Sequence, residues 1–223
     1  MRRERSSKIR RQLAREAARL MYEEEVSQYF VAKRMAAKRL FGRGGQKRLR
    51  FRPRDLPSNG EIQAALLELA DFVEGDARLD RLDEMRRLAL EVMTALADFE
   101  PRLIGSVATG HIRRGSDIDI QLFAEDADGP EDWLIEHGWS YDREDVLIRR
   151  PQGFSEYQHL RLDLAHPVEL TVYTRAELRH RPRSSTDGLP IQRITMRALT
   201  QLLTTSSGSG RVDQNVLVRN ERT

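Results

Sequence analysis

An α/β (α+β) fold, a mixed-sheet core preceded by a long basic helical N-terminal region, is predicted by three observations. Residues 4–41 carry apolar side chains at helical spacing with no Gly or Pro among them. Residues 58–203 then run helix, strand, strand, helix, strands, helices, the order of an α/β unit on a mixed sheet. Charge is divided as sharply as pattern: residues 1–54 hold 18 Lys and Arg against 5 Asp and Glu, whereas the other 169 hold 20 against 30. A basic arm on an acidic remainder points to a polyanionic partner for the arm. The expected organisation is a basic helical arm and linker over 1–57, a main domain over 58–207 and a flexible tail over 208–223.

Taken in order, Ile9, Leu13, Ala17, Leu20 and Met21, then Val26, Phe30, Val31, Met35 and Leu40, predict one long helix or two consecutive ones, stopping at Gly42. Gly42–Pro57 reads as a basic linker containing Lys47 to Arg54. Ser58-Asn-Gly-Glu61 has the spacing of a capping box and opens a helix to about Glu74, burying Ile62, Leu66, Leu69, Ala70 and Val73. A second helix, about Asp80 to Asp98, buries Leu82, Met85, Leu88, Leu90, Val92 and Leu96. Strands are expected at Arg102–Ile104 and through Ile118 to Phe123. A short helix then runs from Glu131 to His137, closed by Gly138, and two or three strands follow from about Val146 to Tyr173. Ile191 to Leu203 is expected to be the closing helix, with Ile194, Met196, Leu199 and Leu202 inward.

Composition narrows the chemistry. Of 223 residues, 39% are hydrophobic and 33% charged, which suits a charge-rich chain with enough apolar side chains for a core. No run of apolar residues reaches membrane-spanning length and no signal-like stretch follows Met1, so no membrane partner and a cytoplasmic location are expected. Zero cysteines exclude disulfides, thiolate zinc sites and a cysteine nucleophile.

The most informative stretch is Gly105-Ser106, a spacer of ten residues, then Asp117-Ile118-Asp119-Ile120. In a strand, Asp117 and Asp119 share one face while Ile118 and Ile120 enter the core. Two carboxylates on one face of a buried strand are costly unless a cation compensates them, and Mg²⁺ takes such hard oxygen ligands while bridging to phosphates. The small Gly105-Ser106 turn offers backbone N–H groups and a hydroxyl where phosphates would lie. Downstream, Asp163 and Glu169 each stand between apolar neighbours in alternating segments, and either can supply a third carboxylate from a neighbouring strand.

Gly105, Ser106, Asp117 and Asp119, with Arg113, Arg114 and Ser116 in the spacer, resemble the signature of the DNA polymerase β-like nucleotidyltransferase superfamily, and in particular its small bacterial-type domains. The resemblance covers roughly residues 85 to 175. It implies a nucleotidyltransferase core in which Gly105, Ser106, Arg114 and Ser116 bind a nucleoside triphosphate, ATP or CTP favoured. Asp117, Asp119 and a third carboxylate would hold two Mg²⁺ ions, with Mn²⁺ as an alternative. Pro167-Val-Glu-Leu-Thr-Val172 looks more like the family's third motif than the Asp163 segment does, so Glu169 is preferred, although the family residue is usually aspartate. The implied reaction moves a nucleoside monophosphate to an acceptor hydroxyl.

The basic arm favours RNA, such as a tRNA 3′ end, as that acceptor, with Arg181 and Arg183 as further phosphate or RNA contacts and a homodimer as an additional role for the arm. The alternatives are a protein or small-molecule acceptor, of toxin–antitoxin or antibiotic-modifying type, and a catalytically inactive RNA- or protein-binding member.

Overall fold

The computed structural model describes residues 2–42, 55–150, 153–184 and 186–208. The expected basic linker, apart from Gly42 and Asp55–Pro57, and the expected tail beyond Gly208 lie outside the described residues. The elements are α1 (Arg2–Glu23), α2 (Tyr29–Phe41), α3 (Asn59–Glu74), α4 (Asp76–Ala95), β1 (Arg102–Ile104), α5 (Gly105–Thr109), β2 (Ile118–Ala124), α6 (Gly129–Glu136), β3 (Asp142–Arg150), β4 (Gly153–Asp163), β5 (Pro167–Thr174) and α7 (Met196–Gly208). The predicted mixed α+β class is the one observed. Contacts divide the chain into two compact units, one of Met1–Leu82, Gly105–Asp117 and Arg175–Gln192, the other of Asp83–Ile104, Ile118–Thr174 and Arg193–Thr223.

The first unit is a helical cluster in which α1 packs on both α2 and α3. The helical stretch of 4–41 is two helices, not one. Glu25 takes a left-handed φ of 54° and the Glu24 N–H closes onto the Leu20 carbonyl at 3.1 Å, so α1 stops without Gly or Pro. Glu23, Glu24 and Glu25 crowd negative charge onto the end of a helix whose dipole already carries a partial negative charge there, which favours the break. Leu13, Leu20 and Met21 of α1 are buried as expected, each contributing about 1.5–3 kcal/mol of apolar transfer. The face of α2 is different from the one expected: Ala32, Ala36 and Ala37 are buried, while Phe30 is 67% exposed and Val31 and Leu40 also face solvent. Small side chains let two helices approach closely, and here that outweighs burying the larger ones. Gly42 ends α2 where a Cβ would lie 2.3 Å from the Lys38 carbonyl oxygen, so only glycine fits.

The capping box opening α3 is complete. The Ser58 N–H donates to Glu61 Oε2 at 2.7 Å, and the Glu61 N–H donates to Ser58 Oγ at 3.1 Å. Ile62, Leu66 and Ala70 are buried, whereas Val73 and its neighbour Phe72 are exposed. The following helix starts earlier than expected, at Asp76, and its inner positions are Leu82, Met85, Ala89, Val92 and Met93, with Leu96 buried just beyond its end.

The second unit is built on a five-stranded sheet in the order β1-β2-β5-β4-β3. β2 and β5 are parallel and every other neighbouring pair is antiparallel. Ile118, Ile120 and Leu122 of β2 bury on one face beside Val168, Leu170 and Val172 of β5 and Leu160 and Leu162 of β4. The opposite face is polar at one end and apolar further along, where Phe123, Tyr173 and Tyr157 are buried against one another. In-register partners share a face, so Asp119, Glu169, Arg161 and Asp142 form one row across β2, β5, β4 and β3, and Gln121, Thr171, His159 and Glu144 form the next. α6 closes as its glycine suggests: the Gly138 N–H reaches the Ile135 carbonyl and the Trp139 N–H the Leu134 carbonyl, a Schellman arrangement. The closing helix begins at Met196, five residues later than expected. Ile194 instead exchanges two backbone hydrogen bonds with Leu103, at 3.0 and 2.8 Å, and Thr195 caps the helix through its hydroxyl at 3.3 Å from the Ala198 N–H.

Candidate active site

The residues singled out from the sequence fall into both units. In the first, Gly105 has a φ of 71°, a left-handed conformation that glycine adopts without the Cβ clash of other residues, and it starts the five-residue α5 directly after β1. Ser106 is half-buried within that turn. Thr109 Oγ1 donates to the Gly105 carbonyl at 3.1 Å, stitching the turn to itself.

The loop after α5 is closed by a reciprocal pair. The Ser116 N–H donates to the Arg113 carbonyl at 3.0 Å, and the Arg113 N–H donates to Ser116 Oγ at 3.0 Å. Ser116 therefore shapes the loop with the hydroxyl assigned from the sequence to nucleotide. Arg113 sends its guanidinium to the Met21 carbonyl at 2.9 Å, while Arg114 is anchored by its backbone N–H, 3.0 Å from Glu74 Oε1, and is an exposed residue. Of the two adjacent arginines, Arg114 is the one whose side chain this anchoring leaves to other partners. Asp117 is exposed and stands one residue before β2.

The same unit holds the loop of Arg181 and Arg183. Arg181 is exposed, whereas Arg183 donates to the Gly188 carbonyl at 2.7 Å and bridges Pro190, holding its own loop together.

In the second unit, Asp119 on β2 is half-buried and has two register partners, Ile104 on β1 and Glu169 on β5. Adjacent strands lie about 4.8 Å apart, so both carboxylates leave neighbouring positions of the same sheet face. Asp163 lies on β4, a strand further from β2, as the exposed register partner of Pro167 at the hairpin end. Glu169, then, is the acid the sheet sets beside Asp119.

Glu169 is held on both oxygens. His159 Nδ1 lies 2.8 Å from Oε1, and Arg161 Nε donates to Oε2 at 3.3 Å. The His159 hydrogen bond, with the positive charge of Arg161 behind it, outweighs the half-burial of Glu169 and keeps its carboxyl below the ordinary glutamate range. His159 Nε2 is buried, with no hydrogen-bond partner among the described residues. Neither His159 nor Arg161 was singled out from the sequence. Their signal was present in the alternation His159-Leu-Arg161-Leu-Asp163, which places all three polar residues on one face.

The donor set suits a hard divalent cation: carboxylate oxygens in neighbouring register positions, one of them kept ionised. Among the described residues, no three His, Asp or Glu side chains are gathered closely enough to make a ready-formed metal cluster. No described helix is long and apolar enough to cross a membrane.

Comparisons with known proteins add little to this geometry. No family model matches the chain, and no curated protein matches it. Among solved structures, part of the chain resembles a cytoplasmic RNA terminal U-transferase with a TM-score of 0.28 and 16% identity. The match covers 44% of this chain and 32% of that one, an overlap too loose to carry an argument about fold or activity.

Proposed function

We propose that the chain is a Mg²⁺-dependent nucleotidyltransferase that moves a nucleoside monophosphate from a nucleoside triphosphate to an acceptor hydroxyl, with RNA as the acceptor. The observation that carries this reading is the register of Asp119 with Glu169 on adjacent parallel strands, immediately after an Asp117 that completes Asp-x-Asp. Two acids at neighbouring positions of one sheet face repel each other, and their chemistry suits binding a cation that bridges to phosphate-bearing groups.

In this reading Asp117, Asp119 and Glu169 would hold the metal, two Mg²⁺ ions or Mn²⁺ in their place. When bound, the metal would offset phosphate charge and lower the pKa of the acceptor hydroxyl. The chain's own residues do the rest. The backbone at Gly105 and the hydroxyl of Ser106 receive the phosphates, and exposed Arg114 adds positive charge beside them. His159 orients the Glu169 carboxylate and keeps it ionised, while Arg161 donates to Oε2 and steadies that oxygen.

RNA is favoured by α1 and α2, on which Lys8, Arg11, Arg15, Arg34 and Lys38 are exposed. Part of the arm's charge is internally neutralised: Arg19 pairs with Glu16 and Glu23, and Arg39 with Glu16 and Glu24.

The deciding experiment incubates the purified protein with Mg²⁺, total cellular RNA and each α-labelled nucleoside triphosphate in turn, beside an Asp117→Asn/Asp119→Asn control. Label entering RNA and lost in the control is the expected result, and it names the nucleotide. Label with no nucleotide overturns RNA as the acceptor; pyrophosphate release absent under every condition overturns the enzyme reading itself.

A further inference from the structure

Three successive braces hold the loop between Gly105 and Asp117 in the first unit, and two of them originate in or depend on the basic helix α1. At its start, Arg78 Nη1 donates to the Gly110 carbonyl at 2.9 Å, its guanidinium buried and paired with Asp71 at 2.6 Å. In its middle, Arg113 donates to the carbonyl of Met21, in the last turn of α1, at 2.9 Å. At the next residue, the Arg114 N–H donates to Glu74 Oε1, and that same oxygen accepts the hydroxyl of Tyr22 at 2.9 Å. Glu74 Oε2 takes Arg81.

Adjacent residues of α1, Met21 and Tyr22, are thus wired to adjacent residues of the loop, Arg113 and Arg114. The side chain of Glu74 is only 9% exposed. Burial by itself would raise its pKa, but Arg81, Tyr22 and the Arg114 N–H together hold the carboxyl below its ordinary value. A carboxylate this enclosed and fully engaged sets the position of what it binds. Loss of one of its three partners leaves the others with a buried, incompletely satisfied charge.

From this we infer that Tyr22 and Glu74 are positioning residues for nucleotide binding: the basic helix braces the loop as well as presenting charge to a polyanion. The inference rests on the proposed nucleotide-binding role of Gly105, Ser106 and Arg114, but the brace itself can be tested without that role. Neither Tyr22 nor Glu74 need touch a nucleotide for this. They act through the backbone of Arg114.

Two measurements on the full chain separate the possibilities. The first is amide hydrogen exchange across residues 105–117 in ligand-free wild type, Tyr22→Phe, Glu74→Ala and Glu74→Gln. Lys33→Met, which removes the 2.6 Å bond from Lys33 to Asn59 elsewhere in the helical cluster, serves as the control. Exchange at Arg114 should rise about tenfold in Glu74→Ala and less in Tyr22→Phe, the effect of losing one charge-assisted hydrogen bond, and fall back towards wild type in Glu74→Gln, which keeps an acceptor. The second is calorimetric binding of Mg-ATP and Mg-CTP, where Tyr22→Phe and Glu74→Ala should weaken affinity about five- to tenfold while the Lys33→Met control does not. Unchanged loop exchange in both Tyr22→Phe and Glu74→Ala overturns the brace whatever the nucleotide result. A loosened loop with wild-type nucleotide affinity overturns the positioning role. A wild-type protein that binds neither nucleotide defeats the reading of the site and the positioning role with it, and leaves exchange to decide the brace.

Discussion

Asp119 and Glu169 are register partners on two adjacent parallel strands, β2 and β5, and their carboxylates leave the same face of the sheet. The pairing joins residues fifty positions apart in the chain, and it distinguishes Glu169 from Asp163, which stands on the next strand over. The face they share continues through His159 and Arg161, so the acids meet an ordered set of partners before any ligand arrives.

Replacing Asp119 with Asn removes one of these acids while keeping shape and hydrogen-bonding capacity. Nucleotide transfer, read as pyrophosphate release, should fall about 10²- to 10³-fold in Asp119→Asn and in Asp117→Asn, on the scale seen when a preorganised group is removed from a reaction centre. The thermal midpoint should move little, because Asp117 is exposed and Asp119 only half-buried. Near wild-type turnover in the double variant would sink the proposed mechanism.

Glu169→Gln and Asp163→Asn form a matched pair. The first should reduce turnover about 100-fold or more, since it removes a charge that His159 and Arg161 are arranged around. The second should leave turnover within about threefold, as expected for an exposed surface charge. The reverse ranking in the same assay would move the third carboxylate to Asp163.

Acid sensitivity follows from two of the hydrogen-bonded glutamates. Glu169 and Glu74 both have carboxyls held below their ordinary value of 4.5, so folding favours their ionised forms. Each therefore contributes stability that is present in full above that value and is lost as pH falls through the lower folded value. Urea midpoints measured from pH 7 down to pH 3 should decline more gently in Glu169→Gln than in wild type. Parallel curves would show that Glu169 is not held ionised by its neighbours.

Much of this was legible in the sequence where a period or a local motif carried it. The Ser58–Glu61 box and the alternation around Asp119 and Glu169 are short-range patterns, and local sterics enforce them. The inner face of α2 was not legible in the same way. Large apolar residues such as Phe30 and Leu40 attract a prediction, but close helix packing selected Ala32, Ala36 and Ala37 instead. β3 begins with Asp142, Arg143, Glu144 and Asp145, four charged residues on an edge strand, where neither face need be apolar and no alternation marks the start. Ile194 left the expected closing helix for a bridge to Leu103, a pairing between distant segments that no local pattern announces. The brace of Tyr22, Glu74 and Arg114 was hidden for the same reason: side-chain hydrogen bonds between distant segments have no period.

The capping box offers a test of stability independent of any activity. Ser58→Ala deletes the acceptor of the Glu61 N–H and should cost about 1 kcal/mol, the usual effect of losing a serine cap. For a chain of this size that corresponds to a fall of about 2–4 °C in the thermal midpoint. Ser58→Asp, which restores an acceptor at a position favouring negative charge, should recover most of it, whereas Ser58→Val should not. Equal midpoints for Ser58→Ala and wild type would mean that the first turn of α3 does not depend on the Ser58 hydroxyl.

The proposed role of the arm as a polyanion grip is tested by salt. Phosphate contacts release counterions from nucleic acid, so log affinity falls linearly with log salt at a slope that counts them. Arg11 and Arg15 are exposed on α1, whereas Arg19 is paired with Glu16 and Glu23, so the three arginines should not be equivalent. Arg11→Ala and Arg15→Ala together should reduce the slope for single-stranded RNA by about 1 to 2, with weakening roughly uniform across sequences. Arg19→Ala should change the slope less, because its charge is already met within the helix and removing it also frees two glutamates that repel phosphate. Fluorescence anisotropy of a labelled oligonucleotide between low and moderate salt reads all three. An unchanged slope in the Arg11/Arg15 double variant would remove α1 from the RNA interface and leave its bracing of the Gly105–Asp117 loop as the function of that helix.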